Sequence, residues 1–164
     1  MFNPFLPKIV KISKVVWEAP EVKTLFLKFA LDFIPGQFVE VSCFGYGEVP
    51  ISISSSPQEK YLKLTFRKIG SVTSGLFCLK ENDYLGLRGP FGKGFLKEGL
   101  EKKDIILIAG GLGLAPLRSL LKFLLFRQKR LKNRIFLLYG ARTPSDLLFK
   151  KELLKWEKLI TLLL

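Results

Sequence analysis

The sequence predicts two structural units: a six-stranded antiparallel β-barrel of the Greek-key type, followed by part of an α/β domain with a parallel sheet. Two observations lead to this prediction. The first part of the chain alternates short β-branched and aromatic segments with glycine, proline and serine breakers. After it, strand-like and helix-like segments alternate, which is typical of a parallel α/β layer. We place the boundary near Glu98, so the barrel covers residues 1–97 and the α/β unit covers 98–164.

Six strand-like segments make up the predicted barrel. They cover residues 8–17, 23–29, 36–44, 49–54, 61–69 and 83–89. One segment differs, because residues 71–80 carry apolar side chains at helical spacing and predict a short helix. Six such strands at close spacing predict a small antiparallel barrel.

The second unit reads as strand, helix, strand, helix and the start of a third strand. These segments cover residues 104–110, 114–128, 134–140, 145–158 and 159–164. Pro116 lies in the first turn of the first helix, where a missing N–H is tolerated. The unit is much shorter than the roughly 100–150 residues of a typical domain. It is either a naturally small domain or a truncated one, and we expect truncation.

Composition excludes several kinds of chemistry. The chain has no histidine, which removes imidazole bases, Ser-His triads and most transition-metal sites. Its two cysteines, Cys43 and Cys78, are too few for a disulfide framework, a zinc site or an iron–sulfur site. We expect both to be small buried fillers that bind no metal. The chemistry must therefore come largely from a bound cofactor.

The formal charge of +13 raises the question of nucleic acid. We exclude it as the main partner, because the lysines are spread along the chain and the densest basic run, 127–134, flanks an apolar helix. Anionic cofactors, an acidic partner and an ordinary lysine-rich surface remain as explanations. The longest apolar run, 105–117, is shorter than the roughly 20 residues of a membrane span. With no signal-peptide pattern at the N-terminus, we expect a soluble cytoplasmic protein.

A glycine-rich turn, Ala109–Pro116, joins a predicted strand to a predicted helix. Such a turn lets a phosphate approach backbone amides at the positive end of a helix. Pro116 occupies the place of the third glycine in the usual dinucleotide fingerprint. From the residues alone, a nucleotide-binding turn and a purely structural turn are equally compatible.

Two further segments carry hydroxyl groups. Ser52, Ser54 and Ser56 share one side of a strand, which fits either a polar cofactor or the wet face of an edge strand, and spacing alone favours the wet face. The second segment runs from Arg67 to Ser74, with Gly70 between a basic strand end and a hydroxyl-rich helix start. It fits either a diphosphate cradle or an ordinary helix N-cap at Ser71.

Taken in order, six motifs resemble the ferredoxin–NADP reductase superfamily. They are Pro35–Phe38, Pro50–Ser55, Gly70–Thr73, Gly89–Gly92, Ala109–Pro116 and Tyr139–Thr143. Within the superfamily, three segments are most similar to the gamma subunit of soluble nickel–iron hydrogenases and sulfhydrogenases: Ser52–Pro57, Gly113–Ser119 and Tyr139–Leu148. The electron-transfer subunit of dihydroorotate dehydrogenase and a sulfite reductase subunit are near relatives. The resemblance covers essentially the whole chain.

The resemblance implies a barrel that holds FAD and an α/β domain that binds NAD(P). It implies a catalytic role for Ser52, whose hydroxyl would lie near the redox-active ring nitrogen of the flavin. The implied FAD-binding residues are Pro50, Ile51, Ser52, Ile53, Arg67, Gly70, Val72 and Thr73. The implied NAD(P)-binding residues are Gly110, Gly111, Gly113, Pro116, Tyr139, Gly140, Ala141, Arg142 and Asp146.

The chain departs from the superfamily pattern at two places. The flavin motif usually opens with arginine and has tyrosine two residues later, whereas Val49 and Ile51 stand here. Arg67 is our candidate for the missing charge. The expected truncation is the second departure, since the 2Fe–2S cluster of the hydrogenase-like branch would be bound by cysteines beyond Leu164.

From this resemblance we expect an NAD(P)H-dependent flavin oxidoreductase that serves as an electron-transfer subunit. It would exchange a hydride between NAD(P)H and FAD and pass single electrons to an iron–sulfur partner such as a hydrogenase. The alternatives are the corresponding subunit of dihydroorotate dehydrogenase or sulfite reductase, and a non-catalytic docking module that has lost its cofactor site. The choice between NAD and NADP stays open, although Arg142 would accommodate a 2′-phosphate.

Overall fold

The computed structural model describes residues 6–95, 103–127 and 134–163. The predicted domain boundary near Glu98 falls outside these ranges. The first unit contains six strands and one helix. They are β1 (Lys8–Ala19), β2 (Val22–Leu27), β3 (Phe38–Cys43), β4 (Gly47–Ser52), β5 (Leu62–Arg67), α1 (Ser71–Cys78) and β6 (Tyr84–Phe91). All strand pairs are antiparallel, in the order β4-β3-β6-β1-β2-β5.

The two outermost strands of this sheet meet and close it. Just beyond β4, Ile53 pairs with Leu64 of β5 as an antiparallel bridge. The amide of Ser54 then donates to the carbonyl of Lys63 at 2.9 Å. Alternate apolar residues such as Ile12 and Leu85 fill the interior. The predicted six-stranded barrel is confirmed, because the alternation of apolar and polar residues along each strand gives the sheet one buried face.

The second unit is a three-stranded parallel sheet with the order β7-β8-β9. Its elements are β7 (Ile105–Gly110), α2 (Leu114–Arg127), β8 (Ile135–Gly140), α3 (Lys150–Trp156) and β9 (Thr161–Leu163). Leu121 of α2 and Trp156 of α3 belong to the same core as Leu107 and Leu137 of the strands. Val22 of β2 also belongs to this core, so the barrel packs directly on the α/β unit. Over the described residues, no helix is long and apolar enough to cross a membrane.

The second helix of the α/β unit is shorter than the predicted segment 145–158. Pro144–Asp146 forms one turn of 3-10 helix, and α3 begins only at Lys150. Between them, Leu148 is fully buried and Phe149 has a left-handed backbone with φ of 54°. The amide of Phe149 donates to Oε2 of Glu18 in β1 at 3.1 Å. This long-range contact with the barrel replaces the first helical turns that local propensity predicts.

The two cysteines have different environments. Cys43 is buried in the barrel, as expected. Cys78 is exposed, so its prediction as a buried filler is wrong. It is the last residue of α1, where the inward positions are taken by Gly75 and Leu76.

Candidate functional site

Two adjoining cavities lie where the barrel meets the α/β unit. The first, which we call the barrel cavity, has a volume of about 350 Å³. It is lined by Pro50, Ile51, Ser52, Thr65, Phe66, Arg67, Ile69, Thr73, Leu112, Gly113, Ala115 and Pro116. The second, which we call the strand-end cavity, has a volume of about 600 Å³. It is lined by Arg67, Ile69, Gly110, Gly111, Leu112, Gly140, Ala141, Arg142 and Asp146.

The position of the strand-end cavity follows from the topology. Gly110 and Gly140 end two neighbouring parallel strands and pair with each other in register. Ligands of open α/β sheets bind outside the carboxyl ends of the strands, which is where this cavity lies. Arg67, Ile69 and Leu112 line both cavities and form the wall between them.

Most of the residues singled out in the sequence meet at these cavities. Four line neither cavity: Ile53, Gly70, Val72 and Tyr139. Ile53 is fully buried in the barrel, and its amide donates to the carbonyl of Gln37. Five lining residues were not predicted: Thr65, Phe66, Ile69, Leu112 and Ala115. Thr65 and Phe66 carried no motif, since they look like ordinary strand residues, and only the pairing of β5 near the end of β4 brings them to the cavity.

At four glycines around the cavities, the surrounding protein leaves room for a larger side chain. A Cβ added at Gly70, Gly110, Gly113 or Gly140 would meet no other atom within 4 Å, and none of the four has a positive φ. Gly111 also has open space but needs its φ of 49° for the turn. Backbone amides without side chains are accessible to a phosphate group. The turn after β7 and the start of α1 therefore fit the diphosphate of a dinucleotide.

Thr73 shapes the start of α1. Its Oγ1 accepts hydrogen bonds from the amides of Ile69 and Gly70, each at 2.9 Å, and donates to the carbonyl of Gly70 at 3.1 Å. Gly70 is the residue at the N-cap position, so the alternative of an N-cap at Ser71 is wrong. The first amides of a helix have no intrahelical acceptor, which leaves them available to an anion.

The serine-rich strand does not present a wet face. Ser54 and Ser56 are buried, and Ser54 Oγ lies 2.8 Å from Thr65 Oγ1 and 3.0 Å from the carbonyl of Lys63. The interpretation as an exposed edge strand, which spacing alone favoured, is therefore wrong for these two residues. Closing the barrel between Ile53 and Leu64 buries this stretch. Ser52 is the one serine of the three that lines the barrel cavity.

Arg67 lies at the end of β5 in the wall between the cavities. Its Nε atom is buried and has no hydrogen-bond partner among the described residues. It is also the only charged residue among the described residues that line the barrel cavity. A buried donor on a cation left without an acceptor is unfavourable, so an anionic ligand here would stabilise the site.

Tyr139 supports the glycine-rich turn Ala109–Pro116 through its hydroxyl group. Its side chain is buried, its hydroxyl donates to the carbonyl of Gly111 at 3.2 Å, and it accepts from the amide of Leu148 at 3.1 Å. Burial raises the pKa of Tyr139, which keeps the hydroxyl protonated and able to donate. Its side chain thus positions the turn, and the contact with a nucleotide implied for it stays a prediction.

An ionic cluster missed by the sequence analysis joins the two units. We call it the Arg118 cluster. Arg118 of α2 is 1% exposed, and its guanidinium contacts Glu59 of the barrel at 3.0 Å and Glu152 of α3 at 2.6 Å. Nη1 of Arg118 also donates to the carbonyl of Ser54 at 2.5 Å. Lys63 and Lys122 complete the cluster on Glu59. The cluster fixes α2 and α3 against the strand that lines the barrel cavity.

The charge of Glu59 makes the fold sensitive to acid. Burial raises the pKa of Glu59, but the charge of Arg118 and the hydrogen bonds from Arg118 and Lys63 outweigh it and lower the pKa from 4.5 to about 2. The carboxylate therefore stabilises the folded state above about pH 4.5, and this stabilisation is lost as the pH falls towards 2.

The variant Glu59→Gln tests this pH dependence. The free energy of unfolding of the wild type should fall when the pH is lowered from about 5 to about 2.5. In Glu59→Gln, which has no carboxyl group to protonate at this position, we expect the fall to be about 2 kcal/mol smaller. Urea unfolding at the two pH values measures the difference, and equal losses would contradict the prediction.

The sequence and the fold are similar to those of known oxidoreductases. The family described as "Oxidoreductase NAD-binding domain" matches residues 107–161. Sulfhydrogenase 2 subunit gamma of Pyrococcus furiosus is 39% identical over 159 residues, an alignment that covers 93% of this chain and 54% of the relative. A probable dihydroorotate dehydrogenase B (NAD(+)) electron transfer subunit of the same organism is 38% identical over 138 residues, covering 84% of this chain and 50% of the relative.

A solved structure extends the comparison to the fold. Ferredoxin–NADP+ reductase from Plasmodium falciparum superposes with a TM-score of 0.85 at 22% identity, covering 99% of this chain and 74% of the other. The chain spans about half the length of the curated relatives it matches.

Proposed function

The chain has the ferredoxin–NADP reductase-like fold with an oxidoreductase NAD-binding domain, and on this premise we propose that it binds FAD and NAD(P)H in adjoining cavities as the flavin module of an electron-transfer subunit. The resemblance drawn from its motifs is thereby confirmed at the level of the fold, and residues 107–161 match the family described as "Oxidoreductase NAD-binding domain". The observation that carries the proposal is the wall of Arg67, Ile69 and Leu112 shared by the barrel cavity and the strand-end cavity. Because the two cavities adjoin at these residues, two cofactors bound in them would lie next to each other, as a direct transfer between them requires.

The barrel cavity is the proposed FAD site. Pro50, Ile51 and Ser52 line it along β4, and the open backbone at Gly70 lies at the start of α1. The chemistry that bound FAD would supply at this site is hydride exchange with NAD(P)H and the release of single electrons. The protein's contribution is to orient the ring through the strand backbone and to offer the Ser52 hydroxyl as a hydrogen-bond donor. Ile51 takes the place of the family tyrosine with an apolar side chain that is 8% exposed.

The strand-end cavity is the proposed NAD(P) site. Gly110, Gly111 and Gly140 leave room for a diphosphate, and Arg142 supplies a positive charge. Pro116, in the first turn of α2, lines the barrel cavity together with Gly113, so the glycine turn reaches both cavities. We propose that this turn orients the nicotinamide ring towards the flavin ring.

The proposed electron acceptor is an iron–sulfur partner subunit. The similarity to sulfhydrogenase gamma subunits favours a hydrogenase-type partner. The similarity to a dihydroorotate dehydrogenase electron transfer subunit supports the same chemistry with a different partner. Two observations disfavour a docking module without cofactors: the open space at the glycines and the unpartnered Nε of Arg67. A site that binds no ligand would have no need for either feature.

The decisive experiment is the absorption spectrum of the purified protein, before and after incubation with FAD, followed by anaerobic addition of NADH or NADPH. We expect bound oxidised flavin that is bleached by one of the two reductants. A protein that binds no flavin under either condition would overturn the proposal in favour of the docking module.

Replacing Ser52 with alanine tests the proposed catalytic role. Because one hydrogen bond to the reacting ring is removed, we expect the rate of flavin reduction by NAD(P)H to fall about tenfold. The flavin content of the protein should be unchanged. Stopped-flow absorbance measures the rate.

Ser54→Ala is the matched control, since Ser54 belongs to the same serine-rich stretch but lines neither cavity. We expect this variant to reduce its flavin at the wild-type rate while losing about 1 kcal/mol of stability with its buried hydrogen bond to Thr65. Equal reduction rates in Ser52→Ala and the wild type would remove Ser52 from the reaction.

A further inference from the structure

Three side chains form a hydrogen-bonded chain, which we call the hydroxyl chain, that runs from the barrel cavity to a carboxylate. Thr65 of β5 lines the barrel cavity, and its Oγ1 lies 2.8 Å from Oγ1 of Thr24 in β2. Oγ1 of Thr24 donates to Oε1 of Glu18 in β1 at 2.9 Å. Thr24 and Thr65 are buried, whereas Glu18 is partly exposed. The hydroxyl chain therefore begins at the cavity and ends at a side chain that solvent reaches.

The hydroxyl protons of this chain point in one direction. An ionised carboxylate only accepts hydrogen bonds, so the single hydroxyl proton of Thr24 is donated to Glu18. Thr65 must therefore be the donor in its contact with Thr24. The oxygen of Thr65 keeps its lone pairs, which can accept a proton from a ligand in the cavity. A proton that enters at Thr65 can thus reach Glu18 by successive transfers.

The barrel cavity contains no other group that leads a proton to a base. Arg67 is the only charged residue among its described lining residues, and a guanidinium stays protonated at any accessible pH. The hydroxyl groups of Ser52 and Thr73 also line the cavity, but Thr73 donates to the carbonyl of Gly70. Of the three hydroxyl groups, that of Thr65 alone is linked to a carboxylate within the described ranges.

The proposed reaction needs an exit for one proton in each cycle. A hydride taken from NAD(P)H consists of one proton and two electrons. When two one-electron acceptors have removed the two electrons, the proton is left over and has to leave the cavity before the next hydride arrives. Proton transfer by a positioned side chain typically accelerates such a step by about 10²–10⁴-fold.

We propose that Thr65, Thr24 and Glu18 conduct this proton from the barrel cavity to solvent. Oγ1 of Thr65 takes the proton from the flavin and passes its own hydroxyl proton to Thr24, which passes its own to Oε1 of Glu18. One O–H bond forms and one breaks at each hydroxyl group, and Glu18 releases the proton to water. The proposal rests on the proposed function, because it places the flavin in the barrel cavity.

The test follows the two halves of the flavin cycle separately in Thr24→Val, which has nearly the same shape as the wild type but lacks the hydroxyl group. Reduction by NAD(P)H delivers the hydride directly and needs no exit for a proton, so its rate should match the wild type. Reoxidation by ferricyanide, a one-electron acceptor, should be at least about tenfold slower and show a larger solvent isotope effect. Stopped-flow absorbance measures both rates, and a pH-indicator dye records the release of the proton.

Three further variants separate proton conduction from packing. Thr24→Ser restores the hydroxyl group and should reoxidise at close to the wild-type rate. Glu18→Gln keeps the size of the side chain but removes the base, so it should slow reoxidation as Thr24→Val does. Ser54→Ala is the matched control, because it removes a hydroxyl group 2.8 Å from Thr65 that lies outside the path to Glu18. Its reoxidation rate should equal that of the wild type.

Two measurements do not depend on turnover. The dissociation constant of FAD and the midpoint potential of the bound flavin should be the same in Thr24→Val and the wild type, since Thr24 lines neither cavity. In flavin-free protein, the hydroxyl protons of Thr24 and Thr65 should exchange slowly enough with water to be seen by NMR, because both groups are buried and hydrogen-bonded. The signal of Thr65 should disappear in Thr24→Val.

The outcomes distinguish this proposal from the proposed function. If Thr24→Val slows both halves of the cycle equally, or weakens FAD, then Thr24 only supports the shape of the site, and proton conduction is refuted while the proposed function stands. If it slows neither half, the proton leaves directly through the mouth of the cavity, which also refutes conduction. If the wild type binds no FAD, the proposed function itself fails and this inference fails with it.

Discussion

Replacing Arg118 with methionine should lower the free energy of unfolding by about 3–5 kcal/mol. Arg118 is 1% exposed, and its guanidinium contacts Glu59, Glu152 and the carbonyl of Ser54. Methionine matches its apolar stem but leaves two carboxylates and a carbonyl in the interface without their main donor. Removing one partner of a buried ionic cluster is strongly destabilising for this reason. Urea unfolding, followed by circular dichroism, measures the change.

Arg134→Met is the matched control for this prediction. Arg134 pairs with Asp104 at 2.6 Å, but its side chain is 77% exposed. Exposed ion pairs contribute between zero and about 1 kcal/mol, so we expect a small effect. Equal destabilisation by the two variants would show that the Arg118 cluster does not hold the two units together.

The second large effect concerns the open glycines. Gly110→Val should abolish measurable binding of NAD(P)H, weakening it by more than about 100-fold, because the valine side chain fills the space above the backbone amides that would bind the diphosphate. The fold should survive. Gly110 has φ and ψ of −120° and 127°, which valine adopts readily, and its added Cβ meets no protein atom within 4 Å. Nucleotide titration and thermal unfolding measure the two properties.

Gly70→Val is the corresponding variant for the flavin site. As at Gly110, an added Cβ meets no other atom within 4 Å, and the backbone of Gly70 is extended. It should lose flavin while keeping the affinity for ADP-ribose, at a cost of about 1 kcal/mol at the helix start. Gly75→Val should be clearly less stable than either variant, since its Cβ would lie 2.7 Å from the ring of Tyr46 and 2.8 Å from Sγ of the buried Cys43. If Gly110→Val retained wild-type affinity for NAD(P)H, the strand-end cavity would not be the nucleotide site.

The strands and the glycine turn could be predicted from the sequence because their signals are local. Alternation along β3 and β5, and an apolar strand before Gly110, depend only on neighbouring residues. The Arg118 cluster could not be predicted, since Arg118 and Glu59 lie 59 residues apart. In the sequence, Arg118 looks like one polar residue on an apolar helix. Phe149 shows the same limit, because a contact with Glu18, 131 residues away, interrupts a helix that local propensity favours.

Arg67 shows how a site can be predicted in part. Its position after a strand and before a glycine indicated a phosphate contact on the flavin side. That it also lines the strand-end cavity follows only from the packing of the turn after β7 against β5. Ile69 and Leu112 reach the wall for the same reason, and neither carries a chemical signal in the sequence.

The contacts between the barrel and the α/β unit restrict how this protein can evolve. Glu18 and Glu59 of the barrel are matched to Phe149 and Arg118 of the second unit. An exchange of barrels between two related genes would separate these partners, leaving a buried arginine or an uncapped helix start on one side. We therefore expect recombination at the junction to be tolerated only when the incoming barrel carries acidic residues at the corresponding places. We also expect mutations in the two halves to compensate one another across the interface.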